Sequence, residues 1–233
     1  MSTLEQLKEQ IGFSLLIKNK PFILTFLVFI LNYMCYSVIQ PGFSDHVHSY
    51  QGSDETVGIL FGLGDLTYAL TGVFFMNYSK KFSDKKKGLF LLGGLLSIVS
   101  LLIMGPEEFT FLPKNLWSVA LGILLLGSAQ MFYFPFIIPE FMDILHESYP
   151  NVTGIEEMSS EMFSAGISIT ILFGSIFGGV LTDFYGFRRG ITLYAFGLFF
   201  YLFIFWKFRD SKTRKGLSEN ERELKLINLN MDN

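Results

Sequence analysis

One acidic residue, Asp65, lies deep inside a long apolar segment and is the residue best placed to do chemistry. It comes about ten residues into the segment 56–78, which is roughly 15 Å along a helix axis. A carboxylate at the centre of a membrane-spanning helix costs at least about 2.5–3.5 kcal/mol. We therefore expect Asp65 to bind a cationic solute or to exchange a proton. The alternative is a structural carboxyl, protonated or hydrogen-bonded to Thr67 or to a tyrosine of the preceding segment.

Polar side chains in other apolar segments could line a path for the same solute. Tyr68 follows Asp65 by three residues and so shares its helix face. Gln130 and Tyr133 could contact the solute or form hydrogen bonds between helices, and the sequence favours neither. The predicted pathway residues are Asp65, Asn32, Tyr36, Gln40, Tyr68, Gln130 and Tyr133.

The sequence carries no pattern for an enzyme or a resident metal. It has no nucleophile motif, no phosphate-binding loop and no HExxH motif. The single cysteine, Cys35, forms no disulfide or cysteine-based metal site within one chain. His46 and His48 stand in a connection, where solvated side chains are the default interpretation. We expect no enzymatic activity, no cofactor and no metal, and the net charge of −3 gives no reason to expect nucleic acid as a partner.

Helices that cross a lipid bilayer must position these residues. Hydrophobic residues make up 50% of the chain and charged residues only 17%, compared with about 25% charged in a soluble domain. A helix needs roughly 20 apolar residues to cross the hydrocarbon core, and the apolar runs lack the alternation of a membrane β-barrel. The sequence predicts an all-α membrane protein with six transmembrane helices, at residues 21–40, 56–78, 88–105, 116–139, 158–182 and 191–207.

Basic residues gather at one end of the predicted bundle. They occur in an amphipathic arm at 1–20, in a charged tail at 210–233, and in the loop after the second span. The opposite end has only Lys114, Arg188 and Arg189 in its connections. This bias predicts that both termini are cytosolic. The loop lysines could latch helix ends, bind anionic lipid or simply report orientation, and they are Lys80, Lys81, Lys85, Lys86 and Lys87.

The predicted spans differ in polarity. The third and sixth are almost wholly apolar, whereas the first, second, fourth and fifth carry polar side chains. Polar groups avoid lipid, so we expect four helices around a polar interior and two outside. Pro135 and Pro139 predict a kink in the fourth span. Two glycine pairs predict close helix packing: Gly58 with Gly62, and Gly174 with Gly178.

Three stretches are similar to one family. The first span ends in Ile39-Gln40-Pro41-Gly42, the fifth ends in GSIFGGVLTDFYGFR over residues 174–188, and a basic loop occupies residues 77–87. With the order of polar and apolar spans, they resemble the C-terminal six-helix half of a major facilitator superfamily transporter, nearest the vesicular amine and polyamine antiporters. That branch has a carboxylate in this half's fourth span. Residues 127–131 carry none, which leaves Asp65 to supply one.

The resemblance implies transport of a small polar or cationic solute by alternating access. The family uses twelve spans in two halves that rock about a site between them. This chain would supply one half and would act with a separately encoded half, as a homodimer, or be a truncated product. The alternative function is a non-transporting subunit that keeps the fold. Both a plasma membrane and a vesicular or vacuolar membrane fit the sequence.

Overall fold

The computed structural model describes residues 16, 19–82, 86–107, 112–148 and 154–208, with only the backbone described for 76–82. These residues form α-helices joined by short connections. The helices are α1 (Lys20–His48), α2 (Asp54–Phe82), α3 (Lys86–Met104), α4 (Leu116–Gln130), α5 (Phe134–Ser148), α6 (Ile155–Tyr185) and α7 (Phe187–Phe208). Most of the predicted arm at 1–20 and the predicted tail at 210–233 lie outside the described residues.

Within the described ranges, six helical stretches are long and apolar enough to cross a membrane, and α4 and α5 together form one of them. The predicted fold class, an all-α membrane protein with six transmembrane helices, is therefore confirmed. The end of the bundle at which α1 begins and α7 ends is called the inner end here, and the opposite end the outer end. The helices run beyond the predicted apolar segments, since α1 continues through Pro41 to His48.

The fourth span is broken between α4 and α5. Met131, Phe132 and Tyr133 form a turn, in which the N–H of Phe132 donates to the carbonyl of Ala129 at 3.2 Å. Pro135 is the second residue of α5, after Phe134, and its ring nitrogen has no hydrogen with which to continue the helical ladder across the turn. The predicted distortion is thus found just before Pro135. Pro139, in contrast, lies inside α5 without breaking it.

Glycines allow α1 and α6 to pack with their backbones in contact. A Cβ on Gly178 would lie 2.2 Å from the carbonyl oxygen of Val38, and one on Gly174 would lie 2.5 Å from the Cβ of Ser37. Close packing was predicted for this glycine pair and is confirmed. The prediction was wrong within this chain for Gly58 and Gly62, since a Cβ there would meet nothing within 4 Å.

The broken span divides its contacts between two groups of helices. α4 packs against α2 and α3, while α5 packs against α6 and α1. The α2–α4 contact is also close, because a Cβ on Gly127 would lie 2.1 Å from the carbonyl oxygen of Gly64. The span therefore joins the two groups, with the Met131–Tyr133 turn between them.

The polar face of α2 and α6 is not inside this bundle. Only 17% of the apolar stretch of α2 and 28% of that of α6 is buried, compared with 61% for α1. Asp65 on α2 and Ser164 and Ser168 on α6 are exposed. The expectation of a polar interior enclosed by these helices was wrong for the chain on its own, because two of the four polar spans turn their polar side outward.

Candidate functional site

The candidate site is built around Asp65, on the exposed face of α2. The hydroxyl of Tyr36 on α1 donates to Oδ1 of Asp65 at 3.3 Å. Gly64 leaves room for this phenol, since a Cβ at that position would lie 2.6 Å from the Tyr36 hydroxyl oxygen. The exposed carboxylate and the half-buried phenol therefore form a polar pair between α1 and α2.

Aromatic rings border this pair. The ring of Tyr36 lies 6.0 Å from that of Phe61. Phe134 is the first residue of α5. The centre of its ring lies 6.5 Å from that of Tyr33 and 5.9 Å from that of Tyr68, which it meets edge-on. Aromatic faces attract cations, and so does a carboxylate. The surroundings of Asp65 thus suit a positively charged group better than an anion.

The structure agrees in part with the alternative hypothesis that Asp65 is a structural carboxyl. A tyrosine of the first span does hydrogen-bond to the carboxylate, as that alternative required. This is its one hydrogen bond to a described residue, and the side chain remains exposed. A carboxylate can accept several hydrogen bonds, so Asp65 keeps capacity for a further partner.

Asn32 and Gln130 lie inside the bundle and away from the exposed face of Asp65. Asn32 is fully buried and Gln130 is 4% exposed. The amide of Gln130 donates to the backbone carbonyl of Asn32 at 3.0 Å, and the Asn32 amide donates to the carbonyl of Val28 at 2.9 Å. The structure therefore places both residues in the contact between α1 and α4, which is the interhelical alternative predicted for Gln130.

Tyr133 and Gln40 also lie apart from Asp65. Tyr133 is buried in the turn of the broken span, where its hydroxyl donates to the carbonyl of Phe90 on α3 and its ring stacks on that of Phe90. Gln40 is exposed on α1, one residue before Pro41. Of the predicted pathway residues, the structure brings together Asp65, Tyr36 and Tyr68.

The part of the basic loop that the structure describes makes contacts at the inner end. The ammonium group of Lys86 contacts Asp143 and lies 3.9 Å from Oε2 of Glu140. Lys87 donates to the carbonyl of Trp206 at 3.4 Å. These contacts match the predicted latch between helix ends. Lys85 and the side chains of Lys80 and Lys81 lie outside the described residues.

Sequence reasoning missed the carboxylate of Glu140, which is only 4% exposed inside α5. The prediction ended the fourth span at Pro139, one residue before this acid. A usable signal was the spacing of Glu140 and Asp143, which places both acids on one helix face. Their shared partner, Lys86, could not be identified from the sequence, because it lies 57 residues before Asp143.

No group of histidine, cysteine, aspartate and glutamate side chains within the described ranges is arranged to hold a metal ion. The sequence suggested that His46 is a solvated loop residue, and this was wrong. His46 is 5% exposed in the last turn of α1, and its Nε2 donates to the carbonyl of Met104 at 3.0 Å. The loop expectation was wrong because the helix continues through Pro41, which a membrane helix tolerates.

Comparison with known proteins gives a consistent result. Residues 25–230 match the family profile of the Major Facilitator Superfamily. The chain is 28% identical to the MFS-type transporter SLC18B1 of Rattus norvegicus, over 80% of this chain and 42% of that protein. The Homo sapiens SLC18B1 is also 28% identical, over 86% of this chain and 47% of that protein. The chain thus spans less than half the length of these relatives. It belongs to the major facilitator superfamily, a family of transporters rather than of enzymes.

Proposed function

We propose that this chain forms one half of a transporter that moves a small cationic solute by alternating access, with Asp65 as the anionic contact for the solute. One observation carries the proposal. The carboxylate lies within the span of α2 and is exposed on the surface of the six-helix bundle, beside a tyrosine hydroxyl.

Contact with lipid is unfavourable for the surface that carries Asp65. An aspartate facing hydrocarbon costs at least about 2.5–3.5 kcal/mol at the centre of a membrane helix. A water-filled path removes this cost, because the carboxylate is then hydrated or paired with a cation. The rings of Phe61 and Tyr36 next to Asp65 favour a cation further.

A second half completes the path in this proposal. The relatives are more than twice as long as the matched region. In this chain the least buried spans, α2 and α6, are those with polar residues on their exposed faces. Such faces suit contact with another six-helix bundle around a hydrated cavity. That bundle would be a further segment of a longer polypeptide, a separately encoded chain or a second copy of this one.

Uptake by reconstituted proteoliposomes tests the proposal. The chain is reconstituted alone and with a candidate partner half, and uptake of radiolabelled monoamines and polyamines is measured. Asp65→Asn removes the charge at nearly constant volume, and we expect uptake to fall at least about tenfold, since a charge-assisted contact is lost. Asp183→Asn is the matched control, because Asp183 is an exposed carboxylate near the far end of α6.

The outcomes separate the possible functions. Loss of uptake in Asp65→Asn, with normal uptake in Asp183→Asn and equal protein levels, supports the proposal. Equal uptake by both variants contradicts the role of Asp65. No uptake of any cation by the unmodified chain, alone or with a partner, would instead support a non-transporting subunit.

A further inference from the structure

A cavity of about 360 Å³, open to the surface, lies at the outer end of the bundle. Its described lining comes from Glu107 and Lys114, between α3 and α4, and from the junction of α6 with α7. The charged residues of its lining are Glu107, Lys114, Arg188 and Arg189. The cavity is separate from the Asp65 site, which lies within the span of α2.

The basic residues of this cavity oppose the overall charge pattern of the chain. The outer connections predicted from the sequence comprise residues 41–55, 106–115 and 184–190, and the Lys and Arg residues in these ranges are Lys114, Arg188 and Arg189. Folding brings Lys114 to the same cavity as the adjacent Arg188 and Arg189, which are more than 70 residues away in sequence. In the predicted orientation this end is non-cytosolic, where basic residues are disfavoured, so the three are exceptions to the charge bias that meet at one place.

Positive charge exceeds negative charge in the lining. Arg189 Nε lies 3.8 Å from Oε1 of Glu107. Lys114 has no ion pair with any residue that the structure describes, and the described contact of Arg188 is with an aromatic ring. Three cationic side chains thus share a cavity with one carboxylate.

A buried stack of rings positions Arg188. The ring of Phe187 stacks on His46 at 4.4 Å, and Tyr50 contacts His46 edge-on at 5.0 Å. The guanidinium of Arg188 lies 5.5 Å from the centre of the Tyr50 ring. His46 is anchored in turn to the carbonyl of Met104. The guanidinium therefore contacts a ring that packs on His46, and His46 is in turn hydrogen-bonded to the end of α3.

The backbone adds donors at the same place. α7 begins at Phe187, after Gly186 adopts a φ of 77°. The first N–H groups of a helix have no partner within it and favour anions. Those of Phe187, Arg188 and Arg189 belong to residues that line the cavity.

We propose that this outer cavity binds a phosphate group. Guanidinium and ammonium groups beside free helix N–H donors are the groups that recognise phosphate oxygens. Trp117, Phe184 and Tyr185 are 82%, 79% and 56% exposed at this end, and such aromatic residues lie at the level of lipid headgroups. The phosphate is that of a lipid headgroup or free phosphate, since both present the same oxygens.

Binding to the purified full-length chain in phosphatidylcholine nanodiscs distinguishes these sources. Phosphatidic acid is titrated in one arm and inorganic phosphate in the other, and bound ligand is measured by native mass spectrometry. Lys114→Gln combined with Arg188→Gln should weaken binding at least about tenfold, because two charged donors are lost. Lys207→Gln, at the inner end of α7, is the matched control and should bind normally.

A variant with higher affinity for the phosphate ligand provides a further test, because misfolding would lower the affinity and not raise it. Glu107→Gln removes the carboxylate found among the described lining residues, together with its contact to Arg189, so binding should tighten several-fold. Saturable binding of phosphatidic acid alone would assign the site to a lipid headgroup. Binding of inorganic phosphate, with or without binding of phosphatidic acid, would assign it to the free anion. Either result supports the site if the Lys114→Gln, Arg188→Gln double variant loses the binding. The proposal is overturned by the absence of saturable binding in both arms, by equal loss in Lys207→Gln, or by unchanged affinity in Glu107→Gln.

Discussion

The side-chain amide of Gln130 donates a hydrogen bond of 3.0 Å to the backbone carbonyl of Asn32, and this bond ties the end of α4 to the middle of α1. It lies directly before the turn that breaks the fourth span. Because Gln130 is buried, the bond serves the contact between two helices rather than a surface that a solute reaches.

Gln130→Leu should therefore affect stability more than transport. Hydrogen bonds between membrane helices contribute about 0.6 kcal/mol on average and at most about 1.7 kcal/mol, so we expect a loss in that range. Thermal unfolding in detergent measures it. The KM for the transported cation should change less than it does in Tyr36→Phe, and a larger change in KM for Gln130→Leu would return this residue to the solute pathway.

Neighbouring glycines of α6 offer a matched pair of substitutions. Gly178→Ala places a methyl group 2.2 Å from the Val38 carbonyl oxygen, whereas the corresponding space at Gly179 is open. Overpacking costs about 1–3 kcal/mol, so Gly178→Ala should lower the unfolding temperature and Gly179→Ala should leave it nearly unchanged. Equal effects would show that α1 and α6 are not in backbone contact.

The ion pairs at the inner end allow a comparison of buried and exposed partners. The side chains of Lys86 and Glu140 are 12% and 6% exposed, whereas that of Asp143 is 67% exposed. Lys86→Met removes a charged partner of the buried Glu140 carboxylate and should cost more than the loss of a solvated pair, up to about 3–5 kcal/mol. Asp143→Asn removes a solvated partner and should cost less than about 1 kcal/mol.

A double substitution separates the loss of this ion pair from general damage at the site. Lys86→Met combined with Glu140→Met removes both buried charges and should recover most of the stability lost in Lys86→Met alone, because paired apolar replacements of buried ions are often neutral. Chemical denaturation of the purified variants provides the comparison. Additive losses would show that the two side chains do not interact.

Accessibility of introduced cysteines tests the predicted orientation. The native Cys35 is fully buried, so background labelling should be low. Ser53→Cys, in the exposed connection between α1 and α2, should react in intact cells with a membrane-impermeant maleimide if the outer end faces away from the cytosol. Lys207→Cys should react only after permeabilisation. The reverse pattern would place both termini outside. If the protein resides in an internal membrane, the test is made on isolated organelles, where cytosolic termini predict labelling of Lys207→Cys in intact organelles and of Ser53→Cys only after permeabilisation.

The six helices could be predicted from the sequence because crossing a bilayer imposes length and hydrophobicity directly on the chain. The order of polar and apolar spans also gave useful information, since Asp65 and Tyr36 do meet. Exposure could not be predicted, because it depends on which helices pack together. Gln130 and Asp65 both have polar side chains within predicted spans, yet Gln130 is buried between helices and Asp65 is exposed.

Contacts between distant parts of the chain were also beyond the sequence. Lys114 and Arg188 were read only as minor exceptions to the charge bias, and their shared cavity depends on how α3, α6 and α7 end. His46 was predicted to lie in a connection, but α1 continues through Pro41 and His46 packs on Phe187 in its last turn. Local sequence signals predict where the helices lie, whereas the contacts made at the helix ends depend on tertiary packing.

The exposure of Asp65 has a consequence for assembly as well as for solute binding. If a partner half or a hydrated cavity covers this carboxylate, the cost of about 2.5–3.5 kcal/mol for leaving it against lipid is removed on association. An energy of about 1.4 kcal/mol corresponds to a factor of ten in an equilibrium constant. The same side chain that would attract a cation would then strengthen the joining of the two halves by roughly a hundredfold, so that an unassembled half is the unfavourable species in the membrane.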